Sequence, residues 1–372
     1  VARILITMLN KIDPKKFDVD VLILHPHGEL MSELPSWVNI LEGTNFFSAV
    51  DVNLRQSLAN HEWSKVLSKL KLLRLMKFGG IEQELLKQRK LLKLDVKPYD
   101  VEMAAKEGFC TLFVSLGKAK RKLNWIHVDY SAQNYSVHHM GLMKKAIAKM
   151  DLNVAVSLKA AKAYKDLFDA QNTITINNPI DVKGLAKKTQ DTCDFKFNQA
   201  DVNLISVARF HPQKAVDRLI DAFSQIKQTN VKLYLIGSGN LEKDIKEHAK
   251  KLNLENKVIF LGLKSNPMPF IKQADLFVLS SLYEGYPTTV IESLIAGTPV
   301  LSTNVSGVHE QLIENETGWI VENSTDALAT KLIELVSDKE KLRNIKANLK
   351  NYTYSNEKIV EAFEEALLGL QK

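Results

Sequence analysis

The chain has 372 residues, 45% of them hydrophobic and 25% charged, with a formal net charge of +7. This is the composition of a globular protein long enough for two domains, and it excludes a disordered or fibrous chain. No apolar run reaches the length of a membrane span and no secretory signal is visible. The two cysteines, Cys110 and Cys193, lack metal-ligand spacing, and the nine histidines form no zinc pattern beyond the weak pair His138-His139; the reading is a cytoplasmic chain without a metal site.

Val1 to Leu9 reads as a helix and Val19–Leu24 as a strand. The chain opens on Val1, not Met, and an N-terminal strand and loop are expected to precede it. Further strands are expected at Val38–Leu41, Val101–Ala104, Trp125–Val128, Val154–Ser157 and Ile174–Ile176, alternating with helices in the pattern of a parallel α/β sheet. Between them, Lys65 to Leu92 places Lys65, Lys69, Lys71, Arg74, Lys77, Lys87, Arg89 and Lys90 among many leucines. It reads either as a basic amphipathic stretch that lies on an anionic membrane surface or as a solvated helix packed on the core. Residues 1–182 carry 26 Lys+Arg against 19 Asp+Glu, and residues 183–372 carry 24 of each. All of the excess positive charge is therefore in the first half, which favours an anionic surface or acceptor there. No nucleic-acid motif accompanies it and aromatics are sparse, so nucleic acid is not the expected partner.

Asn177-Asn178-Pro179-Ile180-Asp181 ends the first series. Residues 182–200 are polar, without a clear period, and read as a linker or hinge. A second series follows, with strands at Val202–Val207, Lys232–Ile236, Val258–Leu261, Leu276–Leu279, Val300–Ser302 and Trp319–Val321. Helices are expected between them at Val216–Ile226, Leu241–Leu252, Pro267–Lys272, Thr289–Ala296 and Val308–Ile313, and residues 324–370 form two or three amphipathic helices. The fold class is α/β, two Rossmann-like parallel-sheet domains facing each other across a cleft. The expected division is residues 1–181 as a first domain, 182–355 as a second, and 356–372 as a C-terminal helix packing back on the first.

The chemistry concentrates after the second-half strands. Glu284 follows the strand Leu276–Leu279 in a Gly/Pro loop, and Glu292 lies one turn inside the next helix, pointing away from its apolar face. A helix N-terminus offers free N–H groups and a positive dipole end to a phosphate, and two carboxylates beside it can grip sugar hydroxyls. Without that task they are a loop Glu and a solvated helix Glu. Arg209 and Lys214, five residues apart across a Pro turn after Val202–Val207, suit a diphosphate clamp at the carboxyl edge of a parallel sheet, or are two solvated charges. Gly237-Ser238-Gly239 is either a close-approach loop or a tight strand-to-helix turn, and is not a full dinucleotide fingerprint. His127, at the end of a first-half strand, is either a core histidine bonded to a carbonyl or a group facing the cleft.

Five features in order resemble the retaining nucleotide-sugar glycosyltransferases of family four, with the GT-B fold: Arg209 with Lys214, Gly237-Ser238-Gly239, Phe260-Leu261-Gly262, Glu284 with Glu292, and Ala296-Gly297-Thr298-Pro299-Val300. Asn178-Pro179-Ile180-Asp181 resembles the hinge between the two domains. The likeness is strongest over 202–322 and implies roles. Arg209 and Lys214 bind the donor diphosphate, Glu292 holds ribose hydroxyls and Glu284 holds the donor sugar. Backbone N–H groups of Gly285, Tyr286, Pro287, Thr288 and Thr289 are assigned to sugar and phosphate (Pro287 itself has none), Gly237 lines the donor site, Leu263 sits near the base, and His127 sits near the transferred sugar. The family's first strand and Gly-rich loop would precede Val1, and Ala215 stands where the family usually has Gly.

The expectation is metal-independent transfer of a hexose from a nucleoside diphosphate sugar, UDP-linked, to a glycan or lipid-linked saccharide, with retention of configuration and without a cofactor. The setting is cell-surface polysaccharide synthesis, in the cytoplasm or at the inner membrane face. Two alternatives stand beside it: a sugar-nucleotide epimerase of the same fold, and a non-catalytic partner subunit of a transferase complex.

Overall fold

The computed structural model describes residues 1–24, 29–96, 99–132 and 137–369. The first part holds α1 (Ala2–Leu9), β1 (Asp20–Ile23), β2 (Asn39–Glu42), α2 (Ser48–Asp51), α3 (Leu54–Ala59), α4 (Trp63–Phe78), α5 (Ile81–Leu91), β3 (Val101–Ala104), α6 (Phe109–Ser115), β4 (Arg121–Ile126), α7 (Val137–Ile147), β5 (Leu152–Ala155), α8 (Leu158–Phe168) and β6 (Thr173–Thr175). Strands β3-β4-β5-β6 form a parallel four-stranded sheet in that order, and β1 pairs with β2 in a parallel two-stranded sheet. Buried runs such as Leu152–Ala155 fit strands covered on both faces.

The second part holds α9 (Val182–Lys188), β7 (Val202–Val207), α10 (Val216–Ser224), β8 (Val231–Ile236), α11 (Glu242–Lys251), β9 (Val258–Gly262), α12 (Met268–Gln273), β10 (Leu276–Leu279), α13 (Thr288–Ile295), β11 (Val300–Thr303), β12 (Gly318–Val321), α14 (Thr325–Ser337), α15 (Lys339–Asn348) and α16 (Glu357–Leu368). Its sheet is parallel in the order β12-β11-β10-β7-β8-β9. Successive strands are added in one direction from β7 to β9 and in the other from β10 to β12, and the switch point between β7 and β10 fixes where a ligand crevice opens.

Three expectations are corrected. The segment read as a linker begins with the helix α9, because the Asp181 side chain accepts the Gly184 N–H at 3.0 Å and caps it; seven residues are too few to show an apolar period. The helix expected over Val308–Ile313 is a single 3-10 turn, Val308–Glu310. Strand β4 begins at Arg121 and ends at Ile126, so His127 is the first residue beyond it.

Helix α16 lies against the first domain. Phe363 packs on Trp125 with ring centroids 4.7 Å apart, Lys16 pairs with Glu364 at 2.5 Å, and Arg121 donates to the carbonyls of Ala366 and Leu367. One apolar cluster runs from Met8, Trp125 and Val154 through Phe363 to Phe277 and Val290, so the two domains share packing on the hinge side.

Candidate active site

At the switch point, the chain leaving β7 and the chain leaving β10 are tied together. Leu282 N–H donates to the Gln213 carbonyl at 2.8 Å, the Gln213 side chain donates to the Tyr283 carbonyl at 2.9 Å, and the Ser280 hydroxyl donates to the Lys214 carbonyl at 2.9 Å. This lacing brings Lys214 and Glu284 together. Lys214 Nζ lies 2.5 Å from Glu284 Oε1, and the Ser281 hydroxyl donates to the same oxygen at 2.7 Å. Their side chains are 19% and 10% exposed. Glu284 Oε2 has no partner among the described residues, so a rigidly held carboxylate keeps one acceptor oxygen open.

Arg218, which the sequence reading did not single out, anchors this corner. From α10 it donates to the carbonyls of Ser280 and Ser281 and to the Asn323 side chain. Burial lowers its pKa. Nothing local could have shown this role, because the acceptors are backbone groups 62 and 63 residues away.

The turn carrying Lys214 is tight. His211 accepts the Gln213 N–H, and Ala215 follows with φ 44° and ψ 51°, a left-handed conformation in which Cβ crowds the carbonyl. Arg209 is exposed and makes no side-chain hydrogen bond or ion pair among the described residues. Burial lowers the Val1 amino pKa, and the charges of Lys106 and then Arg209 add smaller contributions, which places Arg209 near the first turn of α1.

Gly237 and Gly239 serve the backbone. A Cβ on Gly237 would sit 1.9 Å from the Ala208 carbonyl oxygen, and one on Gly239 would sit 2.3 Å from that of Phe210. Gly237 also has φ +144°. Two side chains here would push the β8 loop off the segment that carries Arg209. Both sequence readings meet: the turn is tight because that loop must come close.

Helix α13 starts at Thr288 after Pro287, with no side-chain cap; the Val290 N–H donates to the Pro287 carbonyl at 3.2 Å, and the N–H groups of Thr288 and Thr289 have no partner among the described residues. Glu292 accepts from the Thr288 side chain and feels Arg3 of α1 and Lys188 of α9, while burial is the largest influence and pushes its pKa above the usual carboxylate range. The carboxylate is thus placed between the domains. Tyr286 is different: its buried ring turns away, with its hydroxyl 3.1 Å from that of Tyr354, which donates to the Asn178 carbonyl at 2.7 Å. Only its backbone can serve a ligand. Leu263 is 76% exposed beyond β9.

His127 faces this loop from the first domain. Its Nε2–H donates to the Ala105 carbonyl at 3.2 Å, its ring lies 4.7 Å from that of Trp125, and its backbone N–H donates to Glu107 at 2.8 Å. Desolvation lowers its pKa to about 3, and burial raises that of Glu107. The imidazole is therefore neutral at physiological pH, with Nδ1 left as the acceptor. Glu107 was also missed in the sequence; it stands next to Gly108 rather than in any recognisable pair.

The two domains touch here. A Cβ on Gly285 would lie 1.9 Å from the His127 carbonyl oxygen. Nearby the Ser306 hydroxyl donates to Asp129 at 2.5 Å, and Glu310 accepts from the Leu158 N–H at 2.9 Å and from Asn177 at 2.8 Å. Among the described residues no group of three His, Cys, Asp or Glu is arranged to hold a metal ion. The side chains of His138 and His139 lie outside the described residues.

Residues 188–352, which contain all of the second-domain site, match the family described as Glycosyl transferases group 1. That stretch is similar to the group 1 glycosyltransferases. Among curated relatives it is 29% identical over 231 residues to the N-acetyl-alpha-D-glucosaminyl L-malate synthase of Bacillus anthracis, covering 60% of this chain and 61% of the relative. It is 30% identical over 196 residues to the N-acetylgalactosamine-N,N'-diacetylbacillosaminyl-diphospho-undecaprenol 4-alpha-N-acetylgalactosaminyltransferase of Campylobacter jejuni, covering 52% of each. The chain thus spans about half to three fifths of the length of these relatives. Among solved structures, Anabaena HepE in complex with UDP superposes with a TM-score of 0.71 at 17% identity, over 99% of this chain and 96% of that one. The lipopolysaccharide outer core galactosyltransferase WaaB gives 0.68 at 16% identity, over 100% and 96%. At such identities these show the fold, which is GT-B. Four of the five sequence features lie at or near the carboxyl edge of the second sheet, whereas residues 296–300 lead from α13 into the start of β11 at the opposite edge.

Proposed function

We propose that the protein is a glycosyltransferase that moves a hexose from a UDP-linked sugar to a glycan or lipid-linked saccharide, with retention of configuration, in cell-surface polysaccharide synthesis. The observation that carries this reading is the Lys214–Glu284 pair, 2.5 Å apart after β7 and β10 at the switch point, on the same sheet edge as Arg209, which has no partner among the described residues. UDP in the complex of HepE, and the diphospho-undecaprenol-linked acceptor in the name of the Campylobacter relative, support the donor and acceptor classes.

Cleaving a glycosyl–phosphate bond develops negative charge on the phosphate and positive character on the sugar. Arg209, Lys214 and the open α13 amides aim positive charge at the phosphate, and such preorganised stabilisation is usually the largest catalytic contribution. Because these cations meet the leaving diphosphate, the reaction is expected to proceed without a metal. Glu284 Oε2 takes a donor hydroxyl while Oε1 stays on Lys214 and Ser281, which fixes the sugar against the phosphate. Glu292 accepts from the ribose. Neutral His127 lends its backbone carbonyl region and ring to the sugar's far side and adds no competing charge.

The test is turnover of UDP-hexoses by the protein with saccharide acceptors, with and without EDTA, and with product configuration read by NMR. Glu284→Ala and Lys214→Ala are expected to lower kcat at least 100-fold, as loss of one preorganised charge contact does. Turnover that survives both substitutions contradicts the assignment. Donor epimerisation without acceptor would favour the epimerase reading instead.

A further inference from the structure

Helix α4 has two apolar faces. Leu72 is buried, and with partly buried Leu75 and Met76 it packs on Phe47, Ala49, Ile81 and Leu85. Lys69 on that side donates to the carbonyls of Ala49 and Val50. This inward face accounts for the helix. The outward face holds Trp63 (60% exposed), Leu67 (66%), Leu70 (47%) and Phe78 (76%). At spacings of four, three and eight these fall on one stripe about 22 Å long, with Arg74 within it and Lys71 and Lys77 beside it. Scattered exposed leucines need no explanation, but a continuous stripe headed by Trp and closed by Phe does.

The charge around that stripe has one sign. Residues 63–78 contain five Lys and Arg and no Asp or Glu. Lys71 and Arg74 make no ion pair among the described residues, and Lys77 lies over the Phe78 ring at 5.3 Å. Two copies of this chain could not bring these faces together without opposing Lys71, Arg74 and Lys77 of one copy to those of the other, six like charges, since Lys69 is turned inward and Lys65 is paired with Glu62. Among the described residues no helix is long and apolar enough to cross a membrane.

We propose that this outward face of α4 seats the protein on an anionic lipid bilayer. Trp63, Leu67, Leu70 and Phe78 enter the headgroup–acyl boundary, while Lys71, Arg74 and Lys77 extend their alkyl stems along the stripe and place their charges among lipid phosphates. This surface lies on the first domain, away from Arg209, Lys214 and Glu284, and the inference does not rest on the glycosyl-transfer reading.

The experiment is co-sedimentation with phosphatidylserine–phosphatidylcholine vesicles and with phosphatidylcholine alone, at low and high salt, with intrinsic fluorescence as second readout. Trp125 and Trp319 are fully buried and Trp37 partly so, which makes Trp63 the exposed reporter. Sedimentation with the anionic vesicles alone is expected, weakened by salt, with a blue shift that Trp63→Phe removes. Lys71→Ser with Arg74→Ser should lower partitioning about 30-fold, and Leu67→Ser with Leu70→Ser should abolish it. These four side chains point to solvent, so unchanged thermal melting is expected and shows that the variants remain folded. Wild-type protein staying in the supernatant, variants binding as wild type does, or a dimer in solution that Leu67→Ser with Leu70→Ser converts to monomer would each overturn the proposal.

Discussion

Replacing Gly285 with alanine places one methyl group at the junction of the domains. Its Cβ would lie 1.9 Å from the His127 carbonyl oxygen, 2.6 Å from the carbonyl carbon and 3.1 Å from the Val128 nitrogen, where real Cβ atoms essentially never come under 3.0 Å. At least 1.1 Å of retreat is needed, and no rotamer supplies it, because backbone stands on both sides. Either the loop carrying Glu284 moves or the domains part, and both are resisted by the Ser306–Asp129 and Glu310–Leu158 contacts. Overpacking of this kind costs about 1–3 kcal/mol, and misplacement by about 1 Å is worth roughly 100-fold in rate. Gly285→Ala is therefore expected to lower kcat/KM about 100-fold while lowering Tm by only a few degrees, with donor turnover and thermal melting as the assays. Ser306→Ala, which removes a hydrogen bond from the same seam without a clash, should lose far less. A Gly285→Ala enzyme with unchanged kinetics and melting would refute the inter-domain contact.

Three further outcomes follow from the same geometry. Burial raises the Glu292 pKa, so the folded state holds its proton more tightly than the unfolded state above the ordinary carboxylate range, and stability falls as pH rises through that window. Glu292→Gln should melt higher than wild type at pH 8, with the gain vanishing below about pH 4, yet bind UDP more weakly. For His127 the sign is opposite. Its pKa is lowered from 6.5 to about 3, so the unfolded state takes up the proton first and stability is lost as pH falls from 6.5 towards 3. Urea unfolding should show a wild-type slope steeper than that of His127→Asn by up to about 1.4 kcal/mol per pH unit in that window; equal slopes would contradict a buried neutral imidazole. Ala215→Gly should stabilise the protein by about 0.5–1 kcal/mol, the relief of left-handed strain less the entropy of a more flexible unfolded chain, measured as a shift in urea midpoint.

The second domain was more legible in the sequence than the first. Val202–Val207 and Leu276–Leu279 are apolar runs bounded by polar and Gly/Pro residues, so their ends could be read to the residue, and Arg209, Lys214 and Glu284 follow those ends directly. What the sequence could not show is which strands become neighbours. The pairing of β7 with β10 is what turns Lys214 and Glu284, seventy positions apart, into an ion pair. Arg218 and Glu310 act through distant backbone groups and leave no local pattern. Helix α9 rests on one capping aspartate, and the stretch 65–92, read as one basic amphipathic segment, is two helices; apolar residues on both faces of α4 leave the sequence unable to say which side faces out. Tyr286 was placed in the site through its neighbours, although its ring belongs to the hinge-side packing with Tyr354.

On this reading the β7–β10 switch point binds a nucleoside diphosphate through Arg209 and Lys214. Calorimetric titration of the protein with UDP, GDP and ADP, repeated with Arg209→Ala and Lys214→Ala, tests it most directly. Selective binding of UDP is expected, weakened at least ten-fold by either substitution, as loss of a charged hydrogen bond to phosphate requires. UDP binding of unchanged affinity in both variants would contradict it.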